Sequence, residues 1–308
     1  MDSLLSGNLI LFGTDTPQEK GQKEQKESFS SIWIKDGDMF KPSTHLQTLE
    51  KIPPGTYVVE KTRDYGICCF SINESSDELY VLPSNSVENL LNEIVTFWSK
   101  YSLYKEHKLV HKRGVLLEGP SGTGKSSIIS LLCNSIIQKG GVVFKIEDVS
   151  NLLLYIDFIH TFRQIEPDTP IITIIEDIDT YMDYEAILLD FLDGKSQIDH
   201  HVVLATTNNS EELSEALLRP SRIDLRLQIP NPDEKVRSAY FTHKNVPATD
   251  LEDLVKNTKE MSMADLKEVY ICKYLLDYSL ENSVKKVKTK LKAENYKDKQ
   301  FSIKKLGV

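Results

Sequence analysis

The chain has 308 residues, of which 40% are hydrophobic and 27% are charged, and its formal net charge is −9. These values are typical of a soluble globular protein that is long enough for two or three domains. The acidic balance disfavours nucleic acid as the main ligand, although a local basic patch would override it.

Cysteine usage indicates a reducing compartment, and the hydropathy pattern indicates neither a membrane span nor a signal peptide. The four cysteines, two of them adjacent at Cys68 and Cys69, have neither the spacing of a disulfide framework nor that of a metal site. No apolar run approaches the roughly 20 residues that span a bilayer. The apolar residues 9–12 lack the basic region and the cleavage site of a signal peptide. We therefore expect a cytoplasmic protein without a membrane span.

Residues 1–85 are predicted to form a small β-rich N-terminal domain. The dipeptide Asp36-Gly37 between two apolar stretches indicates a β-hairpin. Apolar runs at residues 57–59, 67–72 and 79–82 indicate further strands. Residues 14–27 contain no apolar side chain, and we expect a mobile loop there. No pattern in this domain indicates chemistry, so we expect it to hold a partner or to pack on the next domain.

An α/β domain is predicted over residues 86–232. It begins with an amphipathic helix at residues 87–101, and the pattern G-x-x-x-x-G-K-[ST] follows between an apolar strand and a helix. The residues of this phosphate loop and the start of its helix are Gly119, Pro120, Ser121, Gly122, Thr123, Gly124, Lys125, Ser126 and Ser127. The glycines let backbone N–H groups turn towards a phosphate, and the helix N-terminus adds its dipole. We expect Lys125 to reach the β- and γ-phosphates and Ser126 to ligate Mg²⁺. His111, shortly before the loop, is a hypothetical contact to the nucleotide base.

A second polar cluster follows the apolar strand at residues 171–175. Glu176 and Asp177 stand at the C-terminal end of this strand, where open parallel sheets bind their ligands. One carboxylate is needed to hold Mg²⁺, directly or through water, and another to orient the water that attacks the γ-phosphate. Asn208 follows the strand at residues 202–205 and is placed to hydrogen-bond both the γ-phosphate and that water.

Two arginines, Arg219 and Arg222, follow a helix and are separated by a proline at the edge of the predicted module. From such an edge a guanidinium would act in trans on the nucleotide of a neighbouring subunit. The alternative is a pair of surface arginines in ion pairs.

Residues 233–308 are predicted to form a helical lid and a basic C-terminal tail. Thr249 with Glu252, and Ser262 with Asp265, have the spacing of capping boxes. The lysine-rich residues 285–305 are either a tail for an acidic surface or nucleic acid, or a solvated helix face.

These motifs, in this order, resemble the AAA family of ATPases over roughly residues 105–283. The residues that carry the resemblance are 119–126, 171–177, 205–208 and 218–224. The phosphate loop with its preceding strand and the order Glu176-Asp177 are similar to the mitochondrial AAA translocase that inserts the Rieske iron–sulfur protein. The resemblance implies an α/β fold with a five-stranded parallel sheet and a C-terminal helical lid. It also implies ATP and Mg²⁺ as cofactors and a homo-oligomeric ring, usually a hexamer or heptamer.

Three departures from the family pattern bear on function. Most members have Asp before Glu at the second motif, so by position Glu176 falls on the metal side and Asp177 on the water-orienting side. Members that thread their substrate carry an aromatic–apolar–glycine motif after the second strand, and residues 149–166 contain no glycine. The membrane span of the translocase is not found, and neither is the His-Glu-x-x-His zinc motif of the membrane AAA proteases.

The sequence therefore predicts a Mg²⁺-dependent ATP hydrolase that forms a ring and remodels, assembles or translocates a protein partner, as a chaperone does. Two alternatives stay open. The first is a nucleic-acid-directed AAA+ loader or helicase accessory, which the basic tail supports. The second is a nucleotide-gated scaffold with little turnover, which the reordered carboxylates would allow. Stimulation of the ATPase by protein, by DNA or RNA, or by neither separates the three.

Overall fold

The computed structural model describes residues 32–36, 39–43, 49–73, 83–193 and 198–289. The chain divides into two compact units between Leu49 and Glu50. In the first unit, strands β1 (Ile32–Asp36) and β2 (Met39–Ser43) pair antiparallel, which confirms the predicted hairpin. The expected mobile loop at residues 14–27, the strand at 79–82 and most of the basic tail lie outside the described residues.

The second unit is built on a seven-stranded sheet with the spatial order β4-β3-β6-β7-β8-β5-β9. Its strands are β3 (Gly55–Thr62), β4 (Gly66–Ile72), β5 (Lys112–Glu118), β6 (Val142–Ile146), β7 (Ile171–Ile175), β8 (His201–Thr207) and β9 (Leu225–Gln228). The strands from β6 to β9 in this order are all parallel. These five strands confirm the predicted parallel sheet and the α/β fold class.

The sheet is wider than predicted because the hairpin of β3 and β4 extends it beyond β6. Strand β3 pairs parallel with β6, with Thr56 opposite Val143, and β4 pairs antiparallel with β3. The sequence patterns place both strands in the β-rich N-terminal domain. Their apolar runs identified them as strands, but the run itself does not say which sheet edge a strand will join. The predicted domain boundaries after residues 85 and 232 remain predictions.

Helices cover both faces of the parallel strands, which explains why those strands are continuously apolar. All five residues of β7 and all seven of β8 are buried. The helices of this layer are α1 (Asn85–Ser99), α2 (Tyr101–Glu106), α3 (Lys125–Ile137), α4 (Val149–Ile165) and α5 (Glu185–Asp193). Helices α1 and α3 pack on one face of the sheet, and α4 and α5 pack on the other. This arrangement places the loop before α3 at the C-terminal edge of the sheet.

A separate helical layer follows the sheet and confirms the predicted lid. It contains α6 (Glu234–His243), α7 (Ala248–Asn257), α8 (Met263–Tyr270), a π-helical turn (Ile271–Leu275) and a helix at residues 280–289, around a core of its own. The capping box of Ser262 and Asp265 forms at the start of α8. The one predicted at Thr249 is wrong, because α7 begins at Ala248 and Thr249 already lies inside its first turn. Within the described ranges, no helix is both long and apolar enough to cross a lipid bilayer.

Two adjacent histidines, His200 and His201, are buried where β8 begins. Burial lowers the pKa of His200 to about 4, and nearby His111 and Arg163 contribute to this shift. Burial lowers the pKa of His201 to about 3, and its Nε2 atom lies 2.7 Å from Thr173 Oγ1. Both rings are therefore neutral in the folded chain near pH 7.

We expect the free energy of unfolding to fall as the pH decreases from about 6.5, the pKa of an unfolded histidine, towards the lowered values of the folded chain. In this window the unfolded chain binds protons that the folded chain does not, so each histidine should lower the free energy of unfolding by about 2 kcal/mol at pH 5. Urea unfolding at neutral and at mildly acidic pH measures the difference. Asparagine tolerates the left-handed backbone of His200, so His200→Asn should reduce the pH dependence. Equal stability of the unmodified chain at both pH values would contradict this expectation.

Candidate nucleotide-binding site

The phosphate loop, residues 119–124, joins β5 to α3. Its backbone has φ angles of 150° at Gly119, 77° at Gly122 and 104° at Gly124. A Cβ atom at Gly119 would lie 2.2 Å from the carbonyl oxygen of Ile229, so this position requires glycine. Helix α3 begins at Lys125, directly after the loop, and its first N–H groups have no partners within the helix. The loop and the helix start together form a cradle that suits an anion.

Lys125 lies inside this cradle and folds back over the loop. Its Nζ atom donates to the carbonyl oxygens of Gly119 at 2.7 Å and Pro120 at 3.0 Å, and to Asn208 Oδ1 at 2.7 Å. Burial lowers the pKa of Lys125, and the carboxylate of Asp177 opposes that shift. Three neutral acceptors therefore hold the ammonium group at the place where a phosphate would compete for it.

Glu176 faces the start of α3. Its Oε1 atom accepts a hydrogen bond from Ser126 Oγ at 3.1 Å, and its Oε2 atom lies 3.4 Å from Lys145 Nζ. A hydroxyl and a carboxylate oxygen side by side are ligands of the kind that Mg²⁺ prefers, directly or through water. The donor set at Ser126 and Glu176 therefore fits Mg²⁺.

Asp177 turns away from its neighbour towards β8. Its backbone is left-handed with φ 48°, and its N–H donates to Thr206 Oγ1 at 3.0 Å. Its Oδ1 atom accepts a hydrogen bond from Asn208 Nδ2 at 2.9 Å. Asn208 thus bridges Lys125 and Asp177, and the two adjacent carboxylates serve two different parts of the site.

A cleft of about 1120 Å³ opens in front of these groups. Of the predicted site residues, it is lined by Ser121, Gly122, Thr123, Gly124, Lys125, Ser126, Ser127, Glu176, Asp177 and Asn208. Gly119 and Pro120 do not line it, and their carbonyl oxygens hold Lys125 instead. The structure therefore brings the phosphate loop, both carboxylates and the asparagine together around one space.

The lid forms the far wall of the cleft, which the sequence patterns did not reveal. The N–H of Ala264, in the first turn of α8, donates to the carbonyl oxygen of Gly122 at 3.0 Å. The lid side chains in the wall include Tyr240, Lys244, Met263, Lys267 and Tyr270. Within each helix the spacing of these residues marks one face. Nothing in that spacing indicates that the face is turned to the phosphate loop.

The two arginines lie outside the cleft and have different surroundings. Arg222 donates from Nη1 to the carbonyl oxygen of Ala216 at 2.6 Å, and its Nε atom lies 3.7 Å from Asp193 Oδ2. The Arg219 side chain is exposed. Arg222 is therefore engaged within its own chain, whereas Arg219 is accessible to another molecule.

The hypothesis that His111 contacts the nucleotide base is wrong. The residue is fully buried, and its ring stacks on Phe97 with 3.8 Å between ring centroids and 2° between ring planes. Its Nε2 atom lies 2.8 Å from the carbonyl oxygen of Phe97. Its position before β5 puts it at the N-terminal edge of the sheet, opposite the edge that carries the phosphate loop.

Residues 115–231 match the family model described as "ATPase family associated with various cellular activities (AAA)". The match begins in β5 and ends just after β9, so it contains the phosphate loop, both carboxylates, Asn208 and both arginines.

Curated proteins also match this chain. An ATP-dependent zinc metalloprotease FtsH of Lancefieldella parvula is 32% identical over 204 residues, which cover 58% of this chain and 31% of the relative. A probable mitochondrial chaperone bcs1 of Schizosaccharomyces pombe is 28% identical over 62% of this chain and 45% of its own length. An AAA ATPase forming ring-shaped complexes, from Corynebacterium diphtheriae, is 25% identical over 76% and 52%. The chain thus spans about a third to a half of the length of these relatives.

Proposed function

Because residues 115–231 of the chain form a domain of the AAA ATPase family, we propose that the protein is a Mg²⁺-dependent ATP hydrolase that works as a homo-oligomeric ring. The observation that carries this proposal is the split between the two carboxylates after β7. Glu176 is directed to Ser126, and Asp177 is directed to Asn208. One site therefore offers a metal-side carboxylate and a second carboxylate beside a polar amide, as hydrolysis of a γ-phosphate requires.

In this proposal the residues of the site divide phosphate binding, metal binding and water activation among them. Lys125 and the first N–H groups of α3 bind the phosphates, and Ser126 and Glu176 would hold Mg²⁺, which would supply positive charge to the phosphates. Asp177 orients the attacking water, and Asn208 hydrogen-bonds that water and the γ-phosphate. Because Asn208 also accepts from Lys125, it links the phosphate-binding group to the water-orienting group.

Lys125→Ala should weaken ATP binding by about 100-fold or more, because it removes the ammonium group that forms charge-assisted hydrogen bonds to the phosphates. Titration calorimetry measures the dissociation constant. Lys139→Ala, exposed in the turn that follows the same helix, is the matched control and should bind as the unmodified chain does. ATP affinity retained in Lys125→Ala would show that the nucleotide binds elsewhere.

We further propose that the ring remodels or assembles a protein partner. Two relatives, by their names, form ring-shaped complexes or act as a mitochondrial chaperone, which supports this class of function. The exposed Arg219 supports the ring, because a guanidinium at a module edge suits action on a neighbouring subunit.

The helix after β6 favours a partner that is not threaded through the ring. Helix α4 runs without a break from Val149 to Ile165, and Asp148 caps its start by accepting from Asn151 N at 2.8 Å. Within residues 149–166, the segment compared with the family's threading motif, Tyr155 is fully buried and hydrogen-bonded to Thr173. Phe158 packs against the hydrophobic core on the same face of the sheet. Neither aromatic is available to grip a polypeptide, so we propose that the partner is engaged in a folded state.

ATP turnover in Mg²⁺, compared with turnover in EDTA, tests the proposal. We expect Mg²⁺-dependent hydrolysis that a captured protein partner stimulates and that DNA and RNA do not. Stimulation by nucleic acid would favour the loader or helicase accessory instead. Tight ATP binding without turnover would favour the nucleotide-gated scaffold. Because Asp177→Asn is expected to bind ATP without hydrolysing it, an ATP-loaded ring of this variant can be used to isolate the bound partner.

A further inference from the structure

A lysine in β6 stands beside the metal-side carboxylate. Lys145 is the one half-buried residue of β6, whose other four residues are buried. It pairs across the sheet with Ile174 of β7, two residues before Glu176. Its Nζ atom lies 3.4 Å from Glu176 Oε2, while the other oxygen of the same carboxylate accepts from Ser126.

Three carboxylates follow β7, those of Glu176, Asp177 and Asp179, and the Lys145 ammonium group lies beside the first of them. Asp177 accepts a hydrogen bond from the neutral amide of Asn208, and Asp179 accepts one from the hydroxyl of Thr207 at 2.6 Å. Among the described residues, Glu176 is the one of these three carboxylates that has an ammonium group within 4 Å. A remote surface ion pair would contribute little, but this pair shares the carboxylate that the metal ion would use.

On the basis of the proposed function, we infer that Lys145 is a positioning residue that weakens Mg²⁺ binding at the nucleotide site. It holds Oε2 of Glu176, so that Oε1 alone faces Ser126 and the metal. Its positive charge would also repel a divalent cation bound beside Ser126 and Glu176. Both effects make the coupling between Mg²⁺ and nucleotide weaker than the acidic cluster alone would give, which favours release of Mg²⁺ with the product ADP.

The measurement is the ratio of two ADP dissociation constants, one in EDTA and one in saturating Mg²⁺, because this ratio reports the coupling between metal and nucleotide. Removing a unit charge several ångströms from a divalent ion in an aqueous cleft changes affinity by about tenfold. Lys145→Met keeps the length of the side chain and removes its charge. We therefore expect this variant to raise the ratio about tenfold, and the charge-retaining Lys145→Arg to keep it within about twofold of the unmodified chain.

A matched control separates this effect from the loss of any lysine ion pair. Lys105 forms a surface pair with Asp168 at 3.0 Å, and Lys105→Met should leave the ratio unchanged. Thermal unfolding shows whether Lys145→Met is folded, and Lys145→Gln replaces it if it is not. A rise of less than threefold in the folded neutral variant, or a fall, would overturn the role of Lys145 while leaving the ATP site in place. Failure of the unmodified chain to bind ADP in either buffer would overturn both proposals.

Discussion

Arg219→Ala is expected to bind ATP with nearly normal affinity and to hydrolyse it about 10³–10⁵ times more slowly, which is the range for a guanidinium supplied in trans. The loss should be confined to the chemical step because Arg219 lies outside its own cleft. ATP affinity from calorimetry and single-turnover hydrolysis by the assembled protein measure the two quantities separately.

The structure distinguishes the two arginines that the sequence proposed together. Arg222 is held by the carbonyl oxygen of Ala216 and lies near Asp193, so its replacement should also lower the stability of the surrounding turn. Arg219 is exposed, and its replacement should leave the melting temperature unchanged. We therefore expect Arg219→Ala to lose hydrolysis while keeping its melting temperature. Arg222→Ala should lose both hydrolysis and stability.

Mixed assemblies provide the control for action in trans. Arg219→Ala subunits keep an intact phosphate loop, and Lys125→Ala subunits keep an intact arginine edge. A mixture should recover part of the activity that each variant lacks alone. Arg63→Ala, an exposed arginine in the β3–β4 turn, should retain full activity. If Arg219→Ala hydrolyses ATP at the unmodified rate, the arginine does not act on the nucleotide.

Asp177→Asn should also leave ATP binding intact and should slow hydrolysis by about 10²–10⁴, the range for a side chain that activates a reacting group by proton transfer or orientation. The amide preserves the size of the side chain but lacks the negative charge that orients the attacking water. Rapid-quench measurement of phosphate release gives the rate, and sedimentation in ATP should show that the variant stays assembled.

Glu176→Gln is the matched variant of the neighbouring residue. Because Glu176 faces Ser126, its replacement should weaken the Mg²⁺ dependence of nucleotide binding more than it slows the chemical step at saturating Mg²⁺. If Glu176→Gln instead traps ATP and Asp177→Asn loses its Mg²⁺ dependence, the roles of the two carboxylates are reversed.

Local patterns were sufficient for the parts of the fold that depend on neighbouring residues. The apolar run at β7 predicted a strand covered on both faces, and all five of its residues are buried. The spacing from Gly119 to Ser126 predicted the loop before α3, because glycine is needed where the backbone turns and approaches Ile229. The family resemblance placed Glu176 on the metal side and Asp177 on the water-orienting side; the two side chains contact Ser126 and Asn208 respectively, and their roles remain predictions.

Features that depend on distant residues could not be predicted. The sequence identified β3 and β4 as strands, but their place beside β6 is a long-range pairing that no local pattern encodes. His111 looked like a polar residue near the nucleotide, but the stacking of Phe97 on its ring buries it at the opposite edge. Lys145 appears in the sequence as one lysine in an apolar run, and only the alignment of β6 with β7 places it beside Glu176.

The most direct test of a ring in which neighbouring subunits complete each ATP site is the specific ATPase activity of the unmodified chain as a function of its concentration. Analytical ultracentrifugation on the same samples gives the fraction that is assembled. We expect activity per subunit to be near zero where only monomers sediment, and to rise in proportion to the assembled fraction. Full activity per subunit in samples that contain only monomers would contradict a site shared between neighbouring subunits.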